Sequence, residues 1–217
     1  MATLEGQTIA GSYKDLLQVS NSNDGVDATA RAVSDGEGTA TLLYLSTTEV
    51  YSPGAGGNTG NTIFGKDAFN TETNNVSDYN TIIGEGAAGT GDVAGALNNV
   101  GIGYEAMKAL TTGDNNVVIG KGAGVAITTA ADNVIIGEGA GDTLSVAMNN
   151  HVLIGRQAGD AINNASANGT VAIGYQSGSG ITTGAGNISI GSAALKQHTT
   201  GSRNIAIGFE AAAQTAC

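Results

Sequence analysis

Short runs of β-branched and aliphatic residues, each ending at a glycine, recur along the chain from about residue 58 onward. The repeating unit reads Asn, a β-branched residue, a variable residue, Ile, Gly, two variable residues and Ala, and it occurs nine times with few exceptions. Successive glycines lie 17–19 residues apart, a regularity that is typical of repeat architectures. We call these residues the anchor glycines: Gly65, Gly84, Gly103, Gly120, Gly137, Gly155, Gly174, Gly191 and Gly208. The pattern predicts an all-β fold, a parallel β-solenoid of about nine coils.

Each unit has the composition of a strand and is too short and too closely bounded by glycine for a helix. In a strand, the residue before the anchor glycine and the residue two positions earlier project from one face. We expect this face to fill the inside of the coil. The predicted coil core contains Ile83, Ile102, Ile119, Ile136, Ile154, Ile173, Ile190 and Ile207.

The residue between those two positions projects the other way, and it is uncharged in every unit. A strand that is apolar on both faces is normally buried on both faces, whereas only one face can point into a slender coil. We therefore expect the second face to meet identical chains, unless another part of the same coil covers it. The predicted interface contains Ile63, Ile82, Val118, Ile135, Leu153, Ala172 and Ala206.

The other positions that recur from unit to unit indicate corners and stacking. Glycine at the anchor suits a corner where a Cβ atom would clash or where φ is positive. Asn at the start of most units can form hydrogen bonds along a stack of equivalent side chains, and only His151 and Thr170 interrupt this column. With 17–19 residues per coil, we expect two short strands and two corners in each circuit.

The composition narrows the range of functions. The 217 residues include 35 glycines and no tryptophan, and aromatic residues make up 4%, which is unusual for a compact enzyme core. The formal net charge of −11 disfavours binding to nucleic acids or to anionic membranes. No apolar segment approaches the roughly 20 residues that a spanning helix needs, so we expect no membrane insertion. A single cysteine, Cys217, excludes a cysteine-based zinc cluster within one chain.

No group of residues carries a recognisable catalytic, cofactor-binding or metal-binding pattern. The glycines at 101 and 103 imitate a dinucleotide fingerprint, but equivalent glycines recur in every coil without a βαβ unit around them. The aromatic residues Tyr104, Tyr175 and Phe209 share the column just after the anchor glycine. They are candidate glycan contacts, although partial packing against neighbouring loops is the simpler explanation.

The first 57 residues have a different pattern. Asn23-Asp24-Gly25 and Asp35-Gly36 are turn sequences between alternating apolar segments. We therefore expect a small β-domain of hairpins at residues 1–57, followed by the solenoid at residues 58–217.

Two resemblances suggest a biological context. The coils Asn116-Val-Val-Ile-Gly-Lys-Gly-Ala123 and Thr170-Val-Ala-Ile-Gly-Tyr-Gln-Ser177 resemble the head repeats of trimeric autotransporter adhesins (YadA-like). That resemblance implies a left-handed parallel β-roll in a homotrimer, with the predicted chain interface at the trimer centre. The phrase Asp35-Gly-Glu-Gly-Thr-Ala40, followed by Leu43-Tyr-Leu-Ser46, is similar to the N-terminal modules of bacteriophage tail fibres.

These resemblances imply a non-enzymatic virion structural protein, a trimeric subunit of a phage tail fibre or head fibre that serves host-surface attachment. Its expected partners are two identical chains, other virion proteins bound through the N-terminal domain, and a host glycan or protein. The alternatives are the head fragment of a bacterial surface adhesin and a glycan-degrading tailspike. If the faces are assigned as above, a charge at Ile136 should abolish folding and a charge at Leu153 should dissociate the chains.

Overall fold

The chain forms two compact units, Met1–Pro53 and Gly54–Cys217, divided within a few residues of the predicted boundary. A computed structural model describes residues 60–69, 77–144, 148–198 and 200–214 in full, together with the backbone of four strands in the first unit. The turn residues 23–25 and 35–39, as well as Cys217, lie outside the described residues.

The first unit contains a four-stranded antiparallel sheet in the order β1-β2-β3-β4. Its strands are β1 (Gln18–Val19), β2 (Arg31–Ser34), β3 (Ala40–Leu45) and β4 (Val50–Tyr51). Consecutive strands pair with each other, and the register between β2 and β3 is irregular near Ala32 and Ser34. The expected arrangement of hairpins is therefore confirmed at the level of the backbone.

The second unit is a parallel β-solenoid, as the repeat predicts. Nine strands form one sheet in sequence order, and each pairs residue for residue with the equivalent strand of the next coil. They are β5 (Thr62–Phe64), β6 (Thr81–Ile83), β7 (Val100–Ile102), β8 (Val117–Ile119), β9 (Val134–Ile136), β10 (Val152–Ile154), β11 (Val171–Ile173), β12 (Ile188–Ile190) and β13 (Ile205–Ile207).

Each coil contains one short strand, so the expectation of two strands per circuit is wrong for the described residues. Among the described residues, the return path consists of turns, with a 3₁₀ turn at Ala165–Ala167. The residues two and four positions after the anchor glycine have positive φ, as Glu105 (54°) and Met107 (49°) show in one coil. A chain that alternates in this way cannot continue as a strand, and its amides instead bond to the neighbouring coil, as Glu105 N does to Glu85 O at 2.9 Å.

The two faces of the strand are the reverse of the prediction. The middle residue of each strand points into the coil and is fully buried from Ile82 through Ala172, with Ala206 at 5% exposure and Ile63 packed against the same core. The predicted interface is therefore the inner column: Ile63, Ile82, Val118, Ile135, Leu153, Ala172 and Ala206.

The isoleucines that precede the anchor glycines lie on the outside of the coil. Ile83 is 37% exposed and Ile207 is 66% exposed, and those between them are partly exposed. The predicted coil core is thus an outer column: Ile83, Ile102, Ile119, Ile136, Ile154, Ile173, Ile190 and Ile207. The expected effects of charges at Ile136 and Leu153 are exchanged accordingly.

The reason for this reversal is that the return path supplies a second wall of the core. The residue seven positions after the anchor glycine is an aliphatic side chain with no exposed surface in several consecutive coils: Leu110, Ile127, Leu144, Ile162 and Ile181. These side chains face the inner column across the coil, while the alanine three positions after the anchor fills the remaining slot. Another part of the same coil therefore covers the middle residue, which is the alternative that the sequence left open.

Exceptions in the inner column are matched by changes nearby. Gly101 replaces the usual aliphatic residue, and a Cβ atom there would lie 2.6 Å from Met107 Cε, so the methionine occupies the missing volume. Ser189 is the second exception, and Ser177 in the preceding coil replaces the usual alanine. Ser177 Oγ lies 2.9 Å from Ser189 Oγ and 2.8 Å from Ser189 O, so the two hydroxyls satisfy each other inside the core.

This pairing predicts an energetic coupling between Ser177 and Ser189. Either single change to Ala should cost about 0.5–1.5 kcal/mol, because it removes the bond between the two hydroxyls. The remaining hydroxyl keeps a backbone acceptor, Ser189 O at 2.8 Å for Ser177 or Val171 O at 3.4 Å for Ser189. The double variant should cost less than the sum, since alanine occupies both kinds of position elsewhere in the solenoid. A double-mutant cycle from chemical denaturation measures the coupling, and additive effects would show that the two hydroxyls act independently.

Candidate interaction surface

The outside of the parallel sheet carries a continuous apolar strip. The first and third residues of each strand project outward, and sixteen of these eighteen positions are Val, Ile or Phe. We call this surface the outer ribbon: Thr62, Phe64, Thr81, Ile83, Val100, Ile102, Val117, Ile119, Val134, Ile136, Val152, Ile154, Val171, Ile173, Ile188, Ile190, Ile205 and Ile207.

The ribbon is large for an exposed apolar surface. Nine strands about 4.8 Å apart extend over roughly 38 Å, and the two outward columns are about 7 Å apart along each strand. The resulting area of roughly 270 Å² approaches the roughly 300–600 Å² of the largest apolar patches on soluble monomers, which are often functional. Apart from Thr62, Phe64 and Thr81 in the first two coils, its side chains are aliphatic and regularly spaced. From Ile83 onward the ribbon therefore offers shape and hydrophobicity without directional polar groups.

A charged column borders one long edge of the ribbon, just after the anchor glycines. Lys121 Nζ lies 3.8 Å from Glu138 Oε1, and Arg156 Nε lies 3.3 Å from Glu138 Oε2. Charges of opposite sign therefore alternate across these three coils. These groups are more than half exposed, so the pairs contribute little stability. In the first coil, the ammonium group of Lys66 lies 3.8 Å from the carboxylate of Asp67.

The three aromatic candidates for glycan contact belong to this same column. Tyr104, Tyr175 and Phe209 are all substantially exposed, with Phe209 the most open at 76%. Four strand spacings, or about 19 Å, separate Tyr104 from Tyr175, and two separate Tyr175 from Phe209. The structure therefore does not join them into one stacking platform. Arg156 lies over the Tyr175 ring, 5.8 Å from its centre.

A ladder of buried asparagines fixes the other side of the sheet. In the coil that begins at Asn116, the backbone N and the side-chain Nδ2 both donate to Asn99 Oδ1, at 2.9 and 3.0 Å. The same Nδ2 donates to Ala130 O at 2.8 Å, and Asn116 Oδ1 accepts two bonds from Asn133. The structural role predicted for this column is confirmed, because the bonds run from coil to coil and leave no side-chain group free for a ligand.

A second ladder, which the sequence analysis missed, lies two residues before the first. Asp114 Oδ1 accepts a bond from Leu97 N at 2.7 Å, and Asn168 Oδ1 accepts one from Asn149 N at 3.0 Å. Here the side chain binds the preceding coil, whereas in the asparagine ladder the side-chain oxygen binds the following coil. The signal was the recurrence of Asp or Asn two residues before the repeat. It is weaker because only four of the nine units have it: Asp78, Asp114, Asn149 and Asn168.

The asparagine ladder is interrupted at His151 and Thr170. His151 N donates to Asn133 Oδ1 at 3.0 Å, and Thr170 N donates to His151 Nδ1 at 3.3 Å. Thr170 Oγ1 donates to Ala167 O within its own coil, at 2.8 Å. Thr170 thus makes one bond to the His151 side chain, whereas Asn116 makes two to the Asn99 side chain.

Neither chemistry nor similarity adds a further assignment. Among the described residues, no three His, Cys, Asp or Glu side chains are arranged to hold a metal ion. In the same part of the chain, no helix is long and apolar enough to cross a bilayer. No family model, curated protein or solved structure matches this chain. The resemblances to adhesin heads and tail fibres therefore remain predictions. The outer ribbon is the candidate interaction surface of this chain.

Proposed function

We propose that the chain is a non-enzymatic structural protein whose solenoids assemble side by side through the outer ribbon into a homotrimer. The observation that supports this proposal is the ribbon itself, an aliphatic surface that extends over all nine strands without a charged residue. Covering roughly 270 Å² of apolar surface is worth roughly 7 kcal/mol per chain before the costs of association. An identical chain is the partner whose surface has the same length and the same spacing of side chains.

A closed ring of copies suits this surface because each chain presents one ribbon and every ribbon becomes covered. The resemblance to trimeric adhesin heads favours three chains in that ring. The charged column along the ribbon edge would then lie at the rim, where polar residues are normal in interfaces between proteins. The roughly 800 Å² per partner of a typical stable interface requires contributions from these bordering columns as well.

The biological role that fits such an assembly is a phage fibre subunit for attachment to the host. The antiparallel sheet of the first unit is the proposed site of attachment to other virion proteins. The solenoid would present its exposed loops and aromatic residues to a host glycan or protein. In this proposal the mature protein is located on the virion, in a tail or capsid fibre.

The molar mass of the purified chain in solution tests the assembly. We expect a species of three times 21.3 kDa by light scattering at micromolar concentration. A stable monomer at that concentration would contradict the proposal. Attachment is tested separately, by competition between the purified protein and intact phage for host cells, in which the assembled protein should reduce adsorption and a dissociated variant should not.

A further inference from the structure

We propose that the junction between the coils of β10 and β11, built around His151, is an acid-sensitive joint of the solenoid. At neutral pH the coils are stacked there as elsewhere. Acidification opens this junction while the coils on either side of it stay folded. The proposal does not depend on the identity of the protein as a fibre subunit.

The first support is the protonation state that the geometry imposes on His151. Its ring is fully buried, and Nδ1 accepts a bond from Thr170 N at 3.3 Å. An accepting Nδ1 carries a lone pair, so the single proton of the neutral ring resides on Nε2. Nε2 is buried without a hydrogen-bond partner. One ring nitrogen of His151 is therefore left without a hydrogen bond, in a column where asparagine side chains form all of theirs.

A second proton can bind His151 only at Nδ1. That nitrogen would then direct an N–H group at the N–H group of Thr170, and the bond between the two coils would become a repulsion. The charged ring would also lie in an apolar core without a partner. Protonation thus removes the hydrogen bond between His151 and Thr170, whose Oγ1 already bonds within its own coil.

The charged groups around this junction do not offset that cost. Just before β9, Asp132 is exposed and its Oδ1 accepts a bond from Asn115 Nδ2 at 3.1 Å. In the coil of β10, Arg156 lies on the outside beside Glu138. The following coil has no titratable residue between Asn168 and Gly174.

The direction of the effect follows from the ordinary and the buried behaviour of the ring. Burial lowers the pKa of His151 to about 4, from 6.5 for an unperturbed histidine. The closed junction therefore has its full stability above about pH 6.5 and loses stability as the pH falls toward 4. Between about pH 7 and about pH 4.5 the population of the open form should rise on the order of sixty-fold.

Two partly buried carboxyls, those of Asp142 and Asp160, change stability in the opposite direction. Burial raises the pKa of Asp142, and burial together with the charge of Asp142 raises the pKa of Asp160. These groups bind protons more readily in the folded state, so acid relieves a cost there instead of adding one. A local loss of structure at the β10–β11 junction in acid cannot come from this pair.

Hydrogen exchange of the full-length protein, followed by mass spectrometry at about pH 7 and about pH 4.5, tests the joint. After correction for intrinsic exchange, Val152–Ile154 and Val171–Ile173 should lose protection on the order of sixty-fold relative to Val117–Ile119. His151→Asn restores the asparagine of the other coils and should remove this difference. His198→Asn, which changes the other histidine, should leave it unchanged.

The proposal is overturned if His151→Asn shows the same local loss as the natural protein, or if the natural protein loses protection uniformly or not at all. Should His151→Asn fold poorly, the ring of the natural protein can be titrated directly by NMR. A midpoint well below 6.5 supports the joint, and an ordinary midpoint overturns it.

Discussion

Replacing Ile135 by Asp should prevent the solenoid from folding. Ile135 is the middle residue of β9, its side chain has no exposed surface, and it belongs to the continuous core of the solenoid. The change removes a large aliphatic side chain, at about 2–5 kcal/mol, and places a carboxyl group in an apolar interior at a further cost of several kcal/mol. The total is comparable with the whole stability of a typical domain, about 5–15 kcal/mol. Circular dichroism of the variant should therefore show loss of the β-sheet signal.

The adjacent residue provides a matched control, because Ile136→Asp introduces the same side chain one position along the same strand. Ile136 projects outward into the outer ribbon and is only partly buried. The variant should therefore retain its β-sheet signal but dissociate, with the molar mass of a single chain. If Ile136→Asp unfolds the chain and Ile135→Asp does not, the inner and outer faces have been assigned incorrectly.

Replacing Gly120 by Ala should disrupt the stacking of the coils. Gly120 has a φ of +136°, and a Cβ atom there would lie 2.7 Å from both the carbonyl carbon and oxygen of Gly137 in the next coil. Neither backbone can retreat without breaking the parallel pairing of β8 with β9. Backbone strain and overpacking each cost about 1–3 kcal/mol, so a loss of roughly 3–5 kcal/mol is expected in chemical denaturation.

Gly122 is the control for this change because it lies two residues away in the same coil. Its φ is +62°, and nothing lies within 4 Å of the position that a Cβ atom would occupy. Gly122→Ala should therefore cost only about 1–2 kcal/mol, the price of a left-handed backbone conformation. Equal losses at the two positions would mean that the close approach of successive anchor glycines is unimportant.

Spacing along the chain predicted the architecture but not the direction of the side chains. The interval between anchor glycines determines which residues stack, and the parallel register of β5 to β13 confirms it. Period-two alternation says only that two positions share a face, and it does not say which face is inside. The core wall on the return path was missed because Leu110 and Ile127 stand within turn sequences rich in Thr and Gly.

One signal in the sequence would have indicated the correct direction. Asn116 and Val118 are two positions apart in a strand, so they share a face. A ladder of asparagines that bond from coil to coil is strongest away from water. If the asparagines are inside, so is the middle residue, and the isoleucine before the anchor glycine must be outside. The acid sensitivity proposed for His151 had no such signal, because it depends on which ring nitrogen Thr170 N contacts.

The one-to-one register between neighbouring coils also restricts how the length of the solenoid can change. Coils of 17–19 residues stack in the same columns, so a turn can absorb a change of one or two residues. Deleting half a coil would interrupt the stacking, whereas a whole coil can be gained or lost without disturbing the rest. The length of the solenoid therefore changes in steps of about 4.8 Å, one for each coil. Duplication or loss of one coil within the gene would change this length by one step. The outer ribbon would be extended or shortened in proportion.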